Sequence, residues 1–262
     1  MADPPTLRLV GGPTALITYG GLRLLTDPTF DPPGDYPRPG TDIVLSKLDG
    51  PAVDLEDVMP VDAVLISHDH HSDNLDHSGR EMLTRSGRVL TTGAGAQRLG
   101  GDAEGMEPGD VAGLERPDGA GSVSVTAVRA DHGPPEVAAK NGPVIGFVLS
   151  GDGLPTVYVS GDNASVDVVR SIVGEHGPFD AVVLFIGGAQ VPEAWGDAHL
   201  TLTAQTAVEA ARELGEAPIA PIHQDGWAHF TSSAADVERE FAQAGLSGRL
   251  RPVAPGEQIS LG

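Results

Sequence analysis

Four short turns in this chain place histidine or aspartate directly after an apolar, strand-like run. They are "SHDHHSDN" from Ser67, "ADHGP" around His132, "SGDN" around Asp162 and "PIHQDGW" around His223. A lone histidine in such a turn is more often structural than a ligand. Four turns of the same character limit the fold more than any other feature. Loops at strand ends can converge on one edge of a sheet, which is how a rigid scaffold assembles a metal site.

The segments between the turns agree with such a scaffold. "TALITYGGLRLLTDP" reads as two strands joined at Gly20-Gly21, a favoured hairpin pair. "DPPGDYPRPG" is too proline-rich for regular structure and reads as a surface loop. "VDAVLIS" is a continuous apolar run of the kind buried on both faces, followed by a helical "NLDHSGREMLTRSG" and a short strand "RVLTT". "GSVSVTAVRA", "PVIGFVLS", "TVYVS", "FDAVVLFIGG" and "APIAPIHQ" read as strands. "NASVDVVRSIVGEHG", "TLTAQTAVEAARELG" and "SSAADVEREFAQAG" read as helices, the second with threonine N-cap candidates and Gly215 at its end. Strands with intervening helices in both halves predict an α/β sandwich with one active edge. No internal boundary is visible, so one domain over residues 1–262 is expected.

Composition narrows the chemistry. The chain of 262 residues has no cysteine, which excludes disulfides, thiolate ligands and a cysteine nucleophile. Any metal must be held by His, Asp, Glu or Asn. A formal charge of −21 argues against nucleic acid or an anionic membrane surface as partner. It leaves room for a small-molecule substrate, even an anionic one, because a bound dication dominates its local field. The N-terminal "MADPPTLRLVGG" has neither a basic nor a long apolar region, so no signal peptide is expected. No apolar run approaches the roughly 18 residues of a membrane span. A cytoplasmic protein is expected; the oligomeric state is not legible.

Together these features resemble the metallo-β-lactamase superfamily. The matching residues are "LLTDP" early, the histidine motif after an apolar strand, then "HGP", "SGDN" and "PIH…WAHF" in the right order. The closest flavour is the branch containing ascorbate-6-phosphate lactonase and N-acylphosphatidylethanolamine phospholipase D, and the resemblance covers nearly the whole chain. It implies a four-layer αββα sandwich with one or two divalent metals at the edge between the sheets. It also implies that His132 ligates the first metal, Asp162 bridges two metals, and His223 ligates the second.

The first motif departs from the family. The usual pattern is His-x-His-x-Asp-His followed closely by Leu-Asp. Anchored on the left, His68 and His70 match, but Ser72 and Asp73 replace the aspartate and histidine. Anchored on the right at "NLD", His71 and Asp73 match, while Asn74 and Asp69 stand in for the flanking histidines. An extended segment puts His68, His70 and Ser72 on one face and Asp69, His71 and Asp73 on the other. A bulge would let His68 and His71 point inward together. The reading favours His71 and Asp73, with His68 or Asp69 as third member. A site richer in carboxylate suits Mn²⁺ or Fe²⁺ better than a His-rich Zn²⁺ site.

The resulting expectation is a hydrolase that uses metal-activated water on an ester, lactone, amide or phosphoester bond. Asp73 or Asp162 would orient the water, and His199 in "DAHLTLT" would stabilise charge or assist the leaving group. Asp27 stands where relatives have a structural carboxylate, and His229 reads as packing near Trp227. Neither a nucleotide loop nor a G-x-S-x-G elbow is present. Two other classes remain: a degenerate member that binds a ligand or partner, and an iron-dependent oxidoreductase on the same fold.

Overall fold

The computed structural model describes residues 4–38 and 40–262. The first three residues of the N-terminal stretch and Pro39 of the proline-rich stretch lie outside it. One sheet has seven strands, in the order β15 (Gln258–Ser260), β1 (Thr6–Gly11), β2 (Thr14–Tyr19), β3 (Leu22–Thr26), β6 (Ala63–Leu65), β7 (Arg88–Thr92) and β8 (Ala103–Met106). A second has six: β14 (Ile219–Ile222), β13 (Ala181–Phe185), β12 (Val157–Val159), β11 (Val144–Gly151), β10 (Ser122–Ala130) and β9 (Val111–Glu115). β4 (Gly34–Pro37) and β5 (Val44–Lys47) form a separate antiparallel hairpin.

Residue parity explains why the central strands read as unbroken apolar runs. In β13, Ala181, Val183 and Phe185 face the opposite sheet, while Val182 and Leu184 face helices. In β6, Ala63 and Leu65 join the inter-sheet core, and Val64 packs outward. A strand covered on both faces has no polar position to spare. The outer layer over the second sheet is α5 (Val166–His176), α7 (Ala204–Glu213) and α8 (Ala234–Gln243), through Val169, Ala207, Ala211 and Phe241. The outer face of the first sheet packs against α1 (Leu55–Val58), α2 (His77–Met82) and α3 (Gly93–Leu99). Two short helices, α4 (Pro135–Asn141) and α6 (Pro192–Trp195), lie in loops. The result is the expected αββα sandwich.

Local chemistry starts and stops the long helices. Thr203 and Ser233 form capping boxes at α7 and α8, and Ser165 caps α5. Gly215, at φ 66°, follows α7 in the left-handed conformation that ends helices.

One expectation needs correction. The proline-rich stretch is not all loop: residues 34–37 pair with β5, and Pro37 sits at the strand end. "GAGAQRL" forms helix α3 directly after β7. Thr92 caps it by accepting from the Gly95 N–H at 2.9 Å. A Cβ at Gly95 would come within 2.8 Å of Thr91 Oγ1, so its glycine lets the helix lie close on β7. Among the described residues, no helix is long and apolar enough to cross a membrane.

Candidate metal centre

Every motif loop leaves the C-terminal end of a strand: Asp27 after β3, His68–Asn74 after β6, His132 after β10, Asp162 after β12 and His223 after β14. Hydrogen bonds donated by backbone N–H groups tie these loops together, within the first sheet and across to the second. Ser67 N donates to Asp27 Oδ1 at 2.7 Å, and Ile145 N of the second sheet donates to Ser67 O at 3.1 Å. His223 N donates to Gly12 O at 2.9 Å. Asp27 and His223 are the non-glycine residues with left-handed backbone among the described residues, at φ 31° and 58°. Such conformations cost of order 1–3 kcal/mol and persist where surrounding structure enforces them. One enforcing contact is plain: a Cβ at Gly187 would fall 2.3 Å from His223 O.

Three imidazoles meet first. His68, His71 and His132 each offer a ring nitrogen, all within 4.8 Å of one another. His68 Nε2 lies 2.8 Å from His71 Nδ1, and His132 Nε2 lies 3.3 Å from the same atom. The far nitrogens of two rings are fixed: His68 Nδ1 is 3.0 Å from Ser67 Oγ, and His132 Nδ1 is 2.8 Å from Leu200 O. The carbonyl requires a proton on His132 Nδ1, which leaves the Nε2 lone pair facing the cluster. Burial, then the crowding of neighbouring imidazoles, holds His68 and His71 well below the ordinary histidine range; burial lowers His132 as well. Neutral imidazoles are what a cation needs as ligands.

Beside them stands a second group, Asp73, Asp162 and His223, also within 4.8 Å of one another. His223 Nε2 lies 3.4 Å from Asp162 Oδ1 and 3.8 Å from Asp73 Oδ2. Burial alone would raise Asp73, but the hydrogen bond from His229 and the nearby His223 and His71 carry it below the usual carboxylate range. Burial lowers His223, yet Asp162 and Asp73 outweigh it and raise the pKa. Burial and then Asp162 raise the Asp27 carboxyl well above its ordinary value. Asn74 joins this group through Nδ2, 3.2 Å from Asp162 Oδ1.

A cation fits these residues on their own chemistry. Asp73 Oδ1, Asp162 Oδ2 and Asn74 Oδ1 are buried without a hydrogen-bond partner among the described residues. Leaving such groups unpaired costs about 1–3 kcal/mol each, more for a charge. An ion bound between them removes that cost.

The other sequence candidates fall outside both groups. Asp69 turns away from the centre, where Arg98 and Arg80 pair with it; Arg98 Nε lies 3.0 Å from its Oδ2. His68, not Asp69, stands beside His71 and His132. His70 belongs to neither triad, although its ring centroid is 4.4 Å from that of His71. Both its ring nitrogens are buried without a partner, and burial followed by His132 pushes its pKa down to about 4. His199 is turned to backbone, with Nδ1 3.1 Å from Gly188 O and Nε2 3.5 Å from the Gln190 amide. His229 is closer to the chemistry than its sequence context suggested. It packs 6.0 Å from Trp227, as expected, but its Nε2 is 3.1 Å from Asp73 Oδ2.

Two openings reach the triads. One is a small slot of about 20 Å³, lined by the apolar Ile43, Leu45, Val191, Trp195 and Leu200 together with Arg38, His71, Asp73, His132 and His229. The other is a broad groove of about 770 Å³ past His70 and His71, bordered by Arg38, Arg80 and Arg98. The β4–β5 hairpin contributes to both.

A sandwich with two ligand triads at one edge defines a class of metal-site proteins, and the sequence comparison names it. Residues 22–224 match the Beta-lactamase superfamily domain, and the chain belongs to that superfamily. An uncharacterized protein of Mycobacterium tuberculosis is 28% identical over 218 residues, covering 81% of this chain and 56% of that protein. The chain thus spans about half the length of the curated relatives it matches. Among solved structures, the isothiocyanate hydrolase from Delia radicum gut bacteria has a TM-score of 0.81 at 19% identity, covering 98% of this chain and 99% of that one. A Veillonella parvula protein described as a possible metal-dependent hydrolase has a TM-score of 0.84 at 18% identity, covering 99% and 100%. The diiron β-hydroxylase CmlA of Streptomyces venezuelae has a TM-score of 0.70 at 16% identity, covering all of this chain and 55% of that one. These likenesses establish the shared fold.

Proposed function

We propose that this chain is a metal-dependent hydrolase of small molecules, acting on an ester, lactone, amide or phosphoester bond. Its motif order resembles that of the lactonase and phospholipase branch of the superfamily, which supports the reading of a small-molecule ester or phosphoester substrate. The observation that carries the reading is the pair of adjacent buried triads, His68/His71/His132 and Asp73/Asp162/His223, beside the slot. The first would hold a borderline ion such as Zn²⁺; the second, with two carboxylates, suits the harder Mn²⁺ or Fe²⁺. A divalent ion there acidifies water and polarises the oxygen of the scissile bond.

The protein's own side chains supply the rest. Asp73, kept ionised, orients the attacking water through its carboxylate. His229, hydrogen-bonded to Asp73 and lining the slot, is the group placed to pass a proton to the leaving group. That role falls to it in preference to His199, whose Nδ1 faces Gly188 O. Trp195, Ile43 and Leu45 exclude solvent around the substrate's apolar part.

The test is metal analysis of protein purified without chelator, with turnover of chromogenic esters and phosphodiesters. Bound metal with turnover is expected. Protein free of metal and inert on every substrate would favour the ligand-binding alternative. A second reading, an iron-dependent oxidoreductase, draws on the carboxylate-rich second triad and on the fold likeness to a diiron β-hydroxylase. Iron content with oxygen consumption would select it.

A further inference from the structure

Arg38 stands where the slot and the groove meet. It follows β4 at the tip of the hairpin, and its backbone is fixed by Arg38 N donating to Ile43 O at 2.8 Å. The hairpin is itself moored to the body: Ala228 N donates to Ser46 O at 3.0 Å and Leu48 N to Gly226 O at 2.7 Å. The cation is therefore held on a framed element that borders both openings.

What sets Arg38 apart is its lack of commitment. The other two guanidinium groups of the groove, Arg80 and Arg98, are spent on Asp69. Arg38 has no ion pair or side-chain hydrogen bond among the described residues, and it is half-buried. The chain has 37 acidic residues against 16 basic ones, so a partner would be easy to provide. A partly desolvated guanidinium without a carboxylate is costly unless something else supplies the anion. Asp73 is the acidic group that acts on it most, but Asp73 already takes the hydrogen bond from His229 and belongs to the second triad. The planar fork of arginine matches carboxylate and phosphate oxygens in a bidentate fashion.

We propose that Arg38 determines specificity by binding an anionic group, a carboxylate or phosphate, that the substrate carries away from its scissile bond. The substrate's scissile end then reaches the triads, its apolar stem lies along Ile43 and Leu45, and its far oxyanion meets Arg38. This deepens the hydrolase reading and rests on it for the location of the scissile bond.

Two measurements on the metal-loaded protein test it, each comparing wild type with Arg38→Gln. In turnover, mono(4-nitrophenyl) glutarate is set against 4-nitrophenyl butyrate, which has the same leaving group and no distal charge. Wild type should prefer the glutarate ester in kcat/KM by about tenfold or more, and Arg38→Gln should bring the ratio near one. In calorimetry, glutarate and 4-phosphonobutyrate are set against butyrate. Wild type should bind both dianions about tenfold more tightly than butyrate, and the variant should lose the difference. The tighter of the two dianions identifies the oxyanion. Wild type without a preference, or a variant that keeps it, overturns the proposal. If wild type hydrolyses neither ester, the hydrolase reading fails while calorimetry still decides the role of Arg38.

Discussion

His68 and His71 point to one centre although they are three residues apart, and the local backbone explains it. β6 ends at Leu65, so His68 and His71 lie outside any strand, in a bent segment followed by a turn in which Leu75 N donates to His71 O at 2.9 Å. Alternate residues share a side in a strand, and a bent segment is released from that rule. Parity in an extended segment separated His68 from His71, a bulge joined them, and the sequence did not choose between His68 and Asp69. By contrast, His132, Asp162 and His223 were legible because each is the one imidazole or carboxylate of its turn that matches the family's order. His229 was undervalued because its partner, Asp73, lies 156 residues away. The geometry predicts that His71→Ala loses metal from the imidazole triad, with affinity down by at least about 100-fold. His70→Ala should keep its metal content; the reverse result in metal analysis would restore the left-hand anchoring. Asp73→Asn should lower the metal stoichiometry and slow hydrolysis by about 100-fold or more, while Ser72→Ala, half-buried and outside both triads, should leave both unchanged.

At the scale of elements, the helices α5, α7 and α8 were readable because caps and 3.6-residue periodicity are both local signals. The β4–β5 hairpin was not. Proline and glycine dominate its first strand, and its stability comes from distant contacts. Lys47, at the end of β5, is 6% exposed and reaches Asp76 Oδ2 at 3.2 Å and Thr29 O at 3.1 Å. It also lies over the Trp227 ring, 5.6 Å from its centroid. Asp76 caps α2 as well, accepting from Gly79 N at 2.8 Å. One carboxylate thus joins helix start and hairpin base. Removing one partner of a buried ion pair typically costs about 3–5 kcal/mol. Lys47→Met should therefore lower the urea-unfolding free energy by about 3 kcal/mol and raise KM, since the hairpin lines the slot. Unchanged stability in the denaturation curve would show that Asp76 is satisfied by its backbone donors alone. β8, β9 and β15 also went unread, being short strands at or near sheet edges whose pairing is set by their neighbours.

For the molecule as a whole, each triad draws on both sheets. His68, His71 and Asp73 follow strands of the first sheet, and His132, Asp162 and His223 follow strands of the second. An ion bound by the native site and not by the unfolded chain stabilises by about 2.7 kcal/mol at a hundred times its dissociation constant. In a protein of this size that corresponds to a rise in Tm of roughly 5–10 °C. Chelation should lower Tm by that amount and readdition of Zn²⁺ or Mn²⁺ should restore it; a scan unmoved by chelator would mean that no ion bridges the layers. The same arrangement bears on the order of events during folding. The imidazole triad is complete in sequence at His132, whereas the second triad waits for His223. Filling of the second triad is then the later event, because a chain cut before His223 holds all of the imidazole triad but not the full second set.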